Sequence, residues 1–131
     1  NFQKAIDLNL KSGHADAWPY LNLGVTERSL NQPTKAETHL REAIRLDACL
    51  AVAHFQLGNV LEDTGRTDTA IAEFQTAARL DSSYAEPHFA LARIYRKLGK
   101  GSKSKREVET YLRLRSQPGT KPITAPSPSG R

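Results

Sequence analysis

Methionine is absent from the 131-residue chain, cysteine and tryptophan occur once each, and no apolar run approaches the roughly 20 residues of a membrane-spanning helix. The lone Cys49 excludes an internal disulfide. It agrees with a reducing compartment without establishing one. No secretory signal opens the sequence. The first residues already lie inside a periodic pattern, so we expect an excerpt of a longer protein, with the cytoplasm only as a default location. Acidic residues are scarce at one end: residues 91–131 hold two against eleven Lys and Arg, whereas residues 1–90 hold twelve against eight. The net charge of +5 is therefore an acidic front joined to a basic rear. Such a split suggests a negatively charged partner near the rear, or head-to-tail contact between copies. A terminal unit that needs a polar outer face explains the same lysines.

Signatures of chemistry are missing too. There is no phosphate loop, no paired-cysteine metal motif and no nucleophile signature. Cys49 with Asp47 and His54 is the one conceivable nucleophile set, but Cys49 reads better as a small apolar residue filling a gap. Glu62 and Asp63 are adjacent carboxylates, and neighbours on a helix do not face one another, so they read as a solvated face. No catalytic residue, metal or cofactor is expected. Nucleic-acid binding by the basic rear is disfavoured, because only Tyr95 and Tyr111 offer stacking surfaces there and Glu107 and Glu109 interrupt the charge.

What the chain does have is a period. Leu23, Leu57 and Leu91 stand 34 residues apart, and so do Gly24, Gly58 and Ala92. Ala36, Ala70 and Ser104 form a third column; Leu40, Phe74 and Val108 a fourth; Leu46, Leu80 and Leu114 a fifth. A fixed period of this length means stacked copies of one supersecondary unit, none of which buries its apolar face alone. In the central copy, Phe55, Leu57, Gly58 and Leu61 recur at helical spacing, and Ala70, Phe74, Ala77 and Leu80 give a second helix its apolar stripe. Glycine costs a helix interior roughly 1 kcal/mol relative to alanine, so Gly24 and Gly58 predict close approach of the partner helix. Gly65 and Gly99 predict helix stops. His54 and His88 also differ by one period and read as a structural column. Pro19 and Pro87, two periods apart, fit first turns, and Asp16 fits a cap. Thr34 with Glu37, and Ser83 with Glu86, have capping-box spacing.

These columns resemble the tetratricopeptide repeat, from about Ala17 to Leu114. The central copy matches at His54, Leu57, Gly58, Leu61, Gly65, Ala70, Phe74 and Ala77. The first matches at Tyr20, Leu23, Gly24, Ala36, Leu40 and Ala43, but not at Glu27 and Asn31. The third matches at Leu91, Ala92, Tyr95 and Gly99 and departs at Ser104, Val108 and Tyr111. The resemblance implies an all-α, right-handed α-solenoid of antiparallel helix pairs. We expect an N-terminal orphan helix and junction over 1–16, repeats over 17–50, 51–84 and 85–115, and a disordered Pro/Ser/Gly tail over 116–131.

The resemblance also implies a non-catalytic interaction scaffold whose first helices line a groove for a peptide or partner segment. Carried over by position, the candidate groove residues are Asn22, Arg28, Phe55, Gln56, Asn59, Phe89, Arg93 and Lys97. Leu21 and Ala90 fall on the same implied lining. Side-chain amides both donate and accept, which suits a peptide backbone. Arg93 and Lys97, one turn apart, suit an acidic group on a partner. Trp18 reads equally as a binding aromatic or as cover for the junction before it. The chaperone-binding carboxylate clamp is not implied, since Leu21, Val25, Gln56, Glu86 and Ala90 stand at its positions. The alternatives are a substrate-recruiting or regulatory arm of a larger enzyme, and a self-associating module using the exposed N-terminal helix beside Phe2 and Ile6.

Overall fold

The structure, a computed structural model, describes residues 16–116. The expected orphan helix with Phe2 and Ile6, and nearly all of the expected tail, lie outside these residues. The described chain forms six helices in three consecutive pairs: α1 (Trp18–Ser29) with α2 (Pro33–Leu46), α3 (Ala51–Asp63) with α4 (Thr67–Leu80), and α5 (Glu86–Lys97) with α6 (Gly101–Arg115). Each helix packs on its partner, and α2 on α3 and α4 on α5 join one pair to the next. The result is an all-α helical solenoid.

Every pair turns on the same device. The residue after the first helix takes a left-handed conformation: Asn31 at φ 61°, Gly65 at φ 82°, Gly99 at φ 77°. The next amide then reaches back five residues, as Gln32 to Glu27 at 2.8 Å, Arg66 to Leu61 at 2.9 Å and Lys100 to Tyr95 at 2.8 Å. These bonds satisfy carbonyls that the helix end leaves open. Asn31, a departure from the repeat pattern, is thus the first copy's substitute for glycine; asparagine is among the few other residues that visit this conformation.

Gly24 and Gly58 are where paired helices touch. A Cβ on Gly24 would lie 2.5 Å from Leu40 Cγ, and one on Gly58 would lie 2.7 Å from Phe74 Cε1. Phe74, Leu40, Leu57, Leu61, Leu91 and Ile94 are fully buried, and Ala36, Ala43, Ala70 and Ala77 let the helices come together around them.

The departures are accommodated one by one. Glu27, at the column of Leu61 and Tyr95, is buried, with its Oε1 2.7 Å from His39 Nδ1. Ser104 is buried and donates its hydroxyl to the Ala92 carbonyl at 2.9 Å across the helix pair.

Four local expectations need correction. Neither capping box forms: Gln32 and Ala85 are the residues preceding α2 and α5, and no side chain caps either helix. Glu37 instead accepts from Arg66 and Arg41, and the Ser83 hydroxyl donates to Asp81. An arginine within reach outcompetes a backbone amide that water can serve. Cys49 is exposed rather than filling a gap. Its amide donates to Asp47 Oδ1 at 3.1 Å in a turn that Asp81 and Ser83 repeat one period later at 3.0 Å. Asp16 does not cap either: Ala17 precedes α1 and no side chain caps that helix, while the Asp16 carboxylate accepts from the Trp18 amide at 3.0 Å.

Candidate functional site

The first helices α1, α3 and α5 stand in line, and one face of each carries the polar positions of the period. Asn22 aligns with Gln56, Val25 with Asn59 and Arg93, Arg28 with Glu62 and Arg96, and Ser29 with Asp63 and Lys97. The structure joins these faces into one belt. Arg28 Nε donates to Asp63 Oδ2 at 2.6 Å, tying α1 to α3. Arg93 Nη2 donates to Glu62 Oε1 at 2.5 Å, and Lys97 Nζ lies 3.9 Å from the other oxygen, tying α3 to α5. Glu62 and Asp63, read from sequence as a solvated face, therefore reach in opposite directions along the stack. Side chains one residue apart on a helix diverge by about 100°, so one acidic pair can serve two neighbours.

These pairs change the status of several candidates. Arg28, Arg93 and Lys97 each have an acidic partner inside the chain, so the acidic group that Arg93 and Lys97 share is Glu62. Phe55 is half-buried, with ring centroids 5.6 Å from Phe74 and 5.4 Å from Tyr84, and it seals the junction between repeats. Leu21 and Ala90 are buried, so neither lines an open face. Phe89 is exposed and meets Tyr111 at 5.2 Å. Trp18 is exposed; the junction it was expected to cover lies outside the described residues.

The amide candidates remain open to a ligand. Asn22 is exposed, while Gln56 and Asn59 are half-buried. Asn59 Nδ2 donates to Gln56 Oε1 at 3.4 Å, a long bond that orients the two amides and leaves the Asn59 oxygen and the Gln56 nitrogen for another partner. Further up the stack, Cys49, Leu50, Ala51, Val52, Leu80, Asp81 and Tyr84 line an open cleft of about 490 Å³ at the repeat junctions. Burial pushes the Tyr84 phenol up to about 12, helped by the nearby Glu86 and Asp81 carboxylates.

Among the described residues, the histidines are engaged within the stack. His54 Nδ1 lies 2.7 Å from Glu73 Oε1 and its Nε2 lies 2.9 Å from the Ala48 carbonyl, so both ring nitrogens are engaged. His88 Nδ1 lies 2.6 Å from Glu107 Oε1, one period on. In the first copy the same two columns hold Tyr20 and His39, which stack at 6.2 Å between centroids. Sequence reading found the histidine column but not its partner column of His39, Glu73 and Glu107, whose signal was a second set of residues 34 apart on the facing helix. It likewise missed the belt's ion pairs, whose signal was opposite charge about one period apart, Arg28 with Asp63 and Glu62 with Arg93.

Family models described as "TPR repeat" and "Tetratricopeptide repeat" match residues 63–99 and 19–48, together just over half of the chain. Among solved structures, a crystal structure of MamA is 25% identical with a TM-score of 0.73, covering 85% of this chain and 65% of that one. YrrB, described as a TPR protein with an unusual peptide-binding site, is 22% identical with a TM-score of 0.71 over 89% of this chain and 62% of its own. A CopN–Scc3 complex has a TM-score of 0.71 at 16% identity, over 78% of this chain and 61% of that one. The chain thus spans less than two thirds of the length of each. No curated protein matches it by sequence. With the 34-residue period, the glycine contacts between paired helices and the left-handed turn in every copy, these matches establish that the chain belongs to the tetratricopeptide repeat family.

Proposed function

We propose that this chain is a protein-interaction module that takes an extended peptide segment against the shared face of α1, α3 and α5. The observation that carries this reading is the pair Gln56 and Asn59. They are held in a fixed relation by one weak bond, half-buried, and flanked by charges already neutralised within the chain. A peptide backbone needs both a donor and an acceptor, and this pair keeps one of each. Because Arg28 and Arg93 are paired internally, the belt offers little net charge at its centre. The segment it selects is therefore read mainly through backbone amides. The peptide-binding site named for YrrB and the assembly of CopN with Scc3 support interaction as the role of such stacks.

Selection from a displayed random-peptide library on the full chain, followed by titration of the best synthetic peptide, tests this reading. Asn59→Ala should weaken binding about three- to tenfold, as expected for one or two neutral hydrogen bonds, and leave the melting temperature unchanged. A peptide that binds Asn59→Ala as tightly as the parent would contradict it.

A further inference from the structure

The last pair ends the described stack with a face that the earlier pairs cover. Leu21, Phe55 and Phe89 share one column; Leu21 is 3% exposed and Phe89 51%. Phe74 is fully buried and its counterpart Val108 is 37% exposed, while Leu112 beside it is 58% exposed. In the first two pairs the next first helix lies on this surface, α3 on α2 and α5 on α4. On the third, Phe89, Arg96, Ser104 and Val108 contribute to an open cleft of about 130 Å³ between α5 and α6. At the end of α6, Arg115 stands where Asp47 and Asp81 bond the following amides in the earlier repeats. It reaches back to Glu86 at 3.3 Å instead.

Charge says what fits there. Arg96 occupies the column of Arg28, whose guanidinium holds Asp63 in the last turn of the helix that covers the first pair. No carboxylate meets Arg96 among the described residues, and it is exposed. We propose that this open end docks an amphipathic helix of a partner protein. Its apolar stripe would lie over Phe89, Val108 and Leu112, and a carboxylate in its last turn would pair with Arg96, as α3 does with Arg28. The surface is distinct from the amide pair on the shared face, so either reading can fail alone.

The probe is a synthetic peptide with the sequence of residues 50–64, which contains α3 with Glu62 and Asp63, titrated against the full chain by fluorescence anisotropy. The account expects saturable binding that Leu112→Asp abolishes and Arg96→Glu weakens at least tenfold. It also expects an Asp63→Asn peptide to lose a similar factor against the parent chain and nothing further against Arg96→Glu. Both chain substitutions are on exposed positions, and an unchanged melting temperature confirms folding. Several results would overturn the proposal: no binding; binding indifferent to Arg96, as when the peptide displaces α3; a dimer in sedimentation that Leu112→Asp dissociates, which makes a second copy the occupant; or tighter peptide binding by Ile123→Ser, which makes residues 117–131 the occupant.

Discussion

A single hydrogen atom decides the packing of each of the first two repeats. At Gly58 it leaves room for the Phe74 ring, whose Cε1, Cδ1 and Cζ would all lie within 3.0 Å of an added Cβ. Alanine normally gains roughly 1 kcal/mol over glycine in a helix, whereas overpacking a fixed core costs about 1–3 kcal/mol. Because the ring is fully buried and lies between Gly58 and Phe55, it cannot swing away, and the steric cost wins. Gly58→Ala should therefore destabilise the fold by about 1–2 kcal/mol in urea unfolding. Adding Phe74→Leu should then cost less than Phe74→Leu does alone, since the smaller side chain relieves the clash. Strict additivity of the two would contradict the contact. Gly24 makes the same contact with the fully buried Leu40, whose Cγ would lie 2.5 Å from an added Cβ with the Ala36 carbonyl oxygen 3.3 Å away, so a comparable loss is expected there.

At the scale of the element, much of the fold was legible because its signals are local and repeat. Gly65 and Gly99 stand just past the ends of α3 and α5, and Pro19 and Pro87 lie in the first turns of α1 and α5, as their positions in the period predict. The capping boxes failed for a reason no single helix contains: Glu37 is drawn to Arg66, on the loop of the next pair. That guanidinium, together with Arg41 in its own helix, holds the Glu37 carboxyl below its usual range. The candidate site was half legible. Position within the repeat marked Asn22, Gln56 and Asn59 as candidates, but which charges were already spent depended on side chains 31 and 35 residues away, Glu62 to Arg93 and Arg28 to Asp63.

Junctions between elements also carry a pH signature. Tyr84 packs against Phe55 where the second pair meets the third, and its phenol is raised from 10 to about 12. The folded state then keeps a proton that the unfolded chain has lost. This contribution is complete below pH 10 and disappears as the pH climbs to about 12. Stability should fall over that window, and Tyr84→Phe should flatten the fall relative to the parent. Equal slopes for the two chains would mean that the phenol is not buried at this junction.

For the whole molecule, the proposed function puts stability and binding on different faces of the same stack. Glycine contacts, the histidine–glutamate pairs and the alanine columns join helices to helices. The belt across α1, α3 and α5 joins repeat to repeat by ion pairs, and we propose that its amides take an outside chain. An exposed ion pair such as Arg28–Asp63 is worth at most about 1 kcal/mol, so we propose that the belt serves more to set the spacing of the amides than to hold the stack together. The most direct test of this division replaces Asn22, Gln56 and Asn59 together by alanine and measures peptide affinity and melting temperature on the same samples. We predict that affinity for the selected peptide falls at least about tenfold while the melting temperature stays within about 2 °C of the parent. Undiminished affinity, or affinity and melting temperature that fall together, would contradict it.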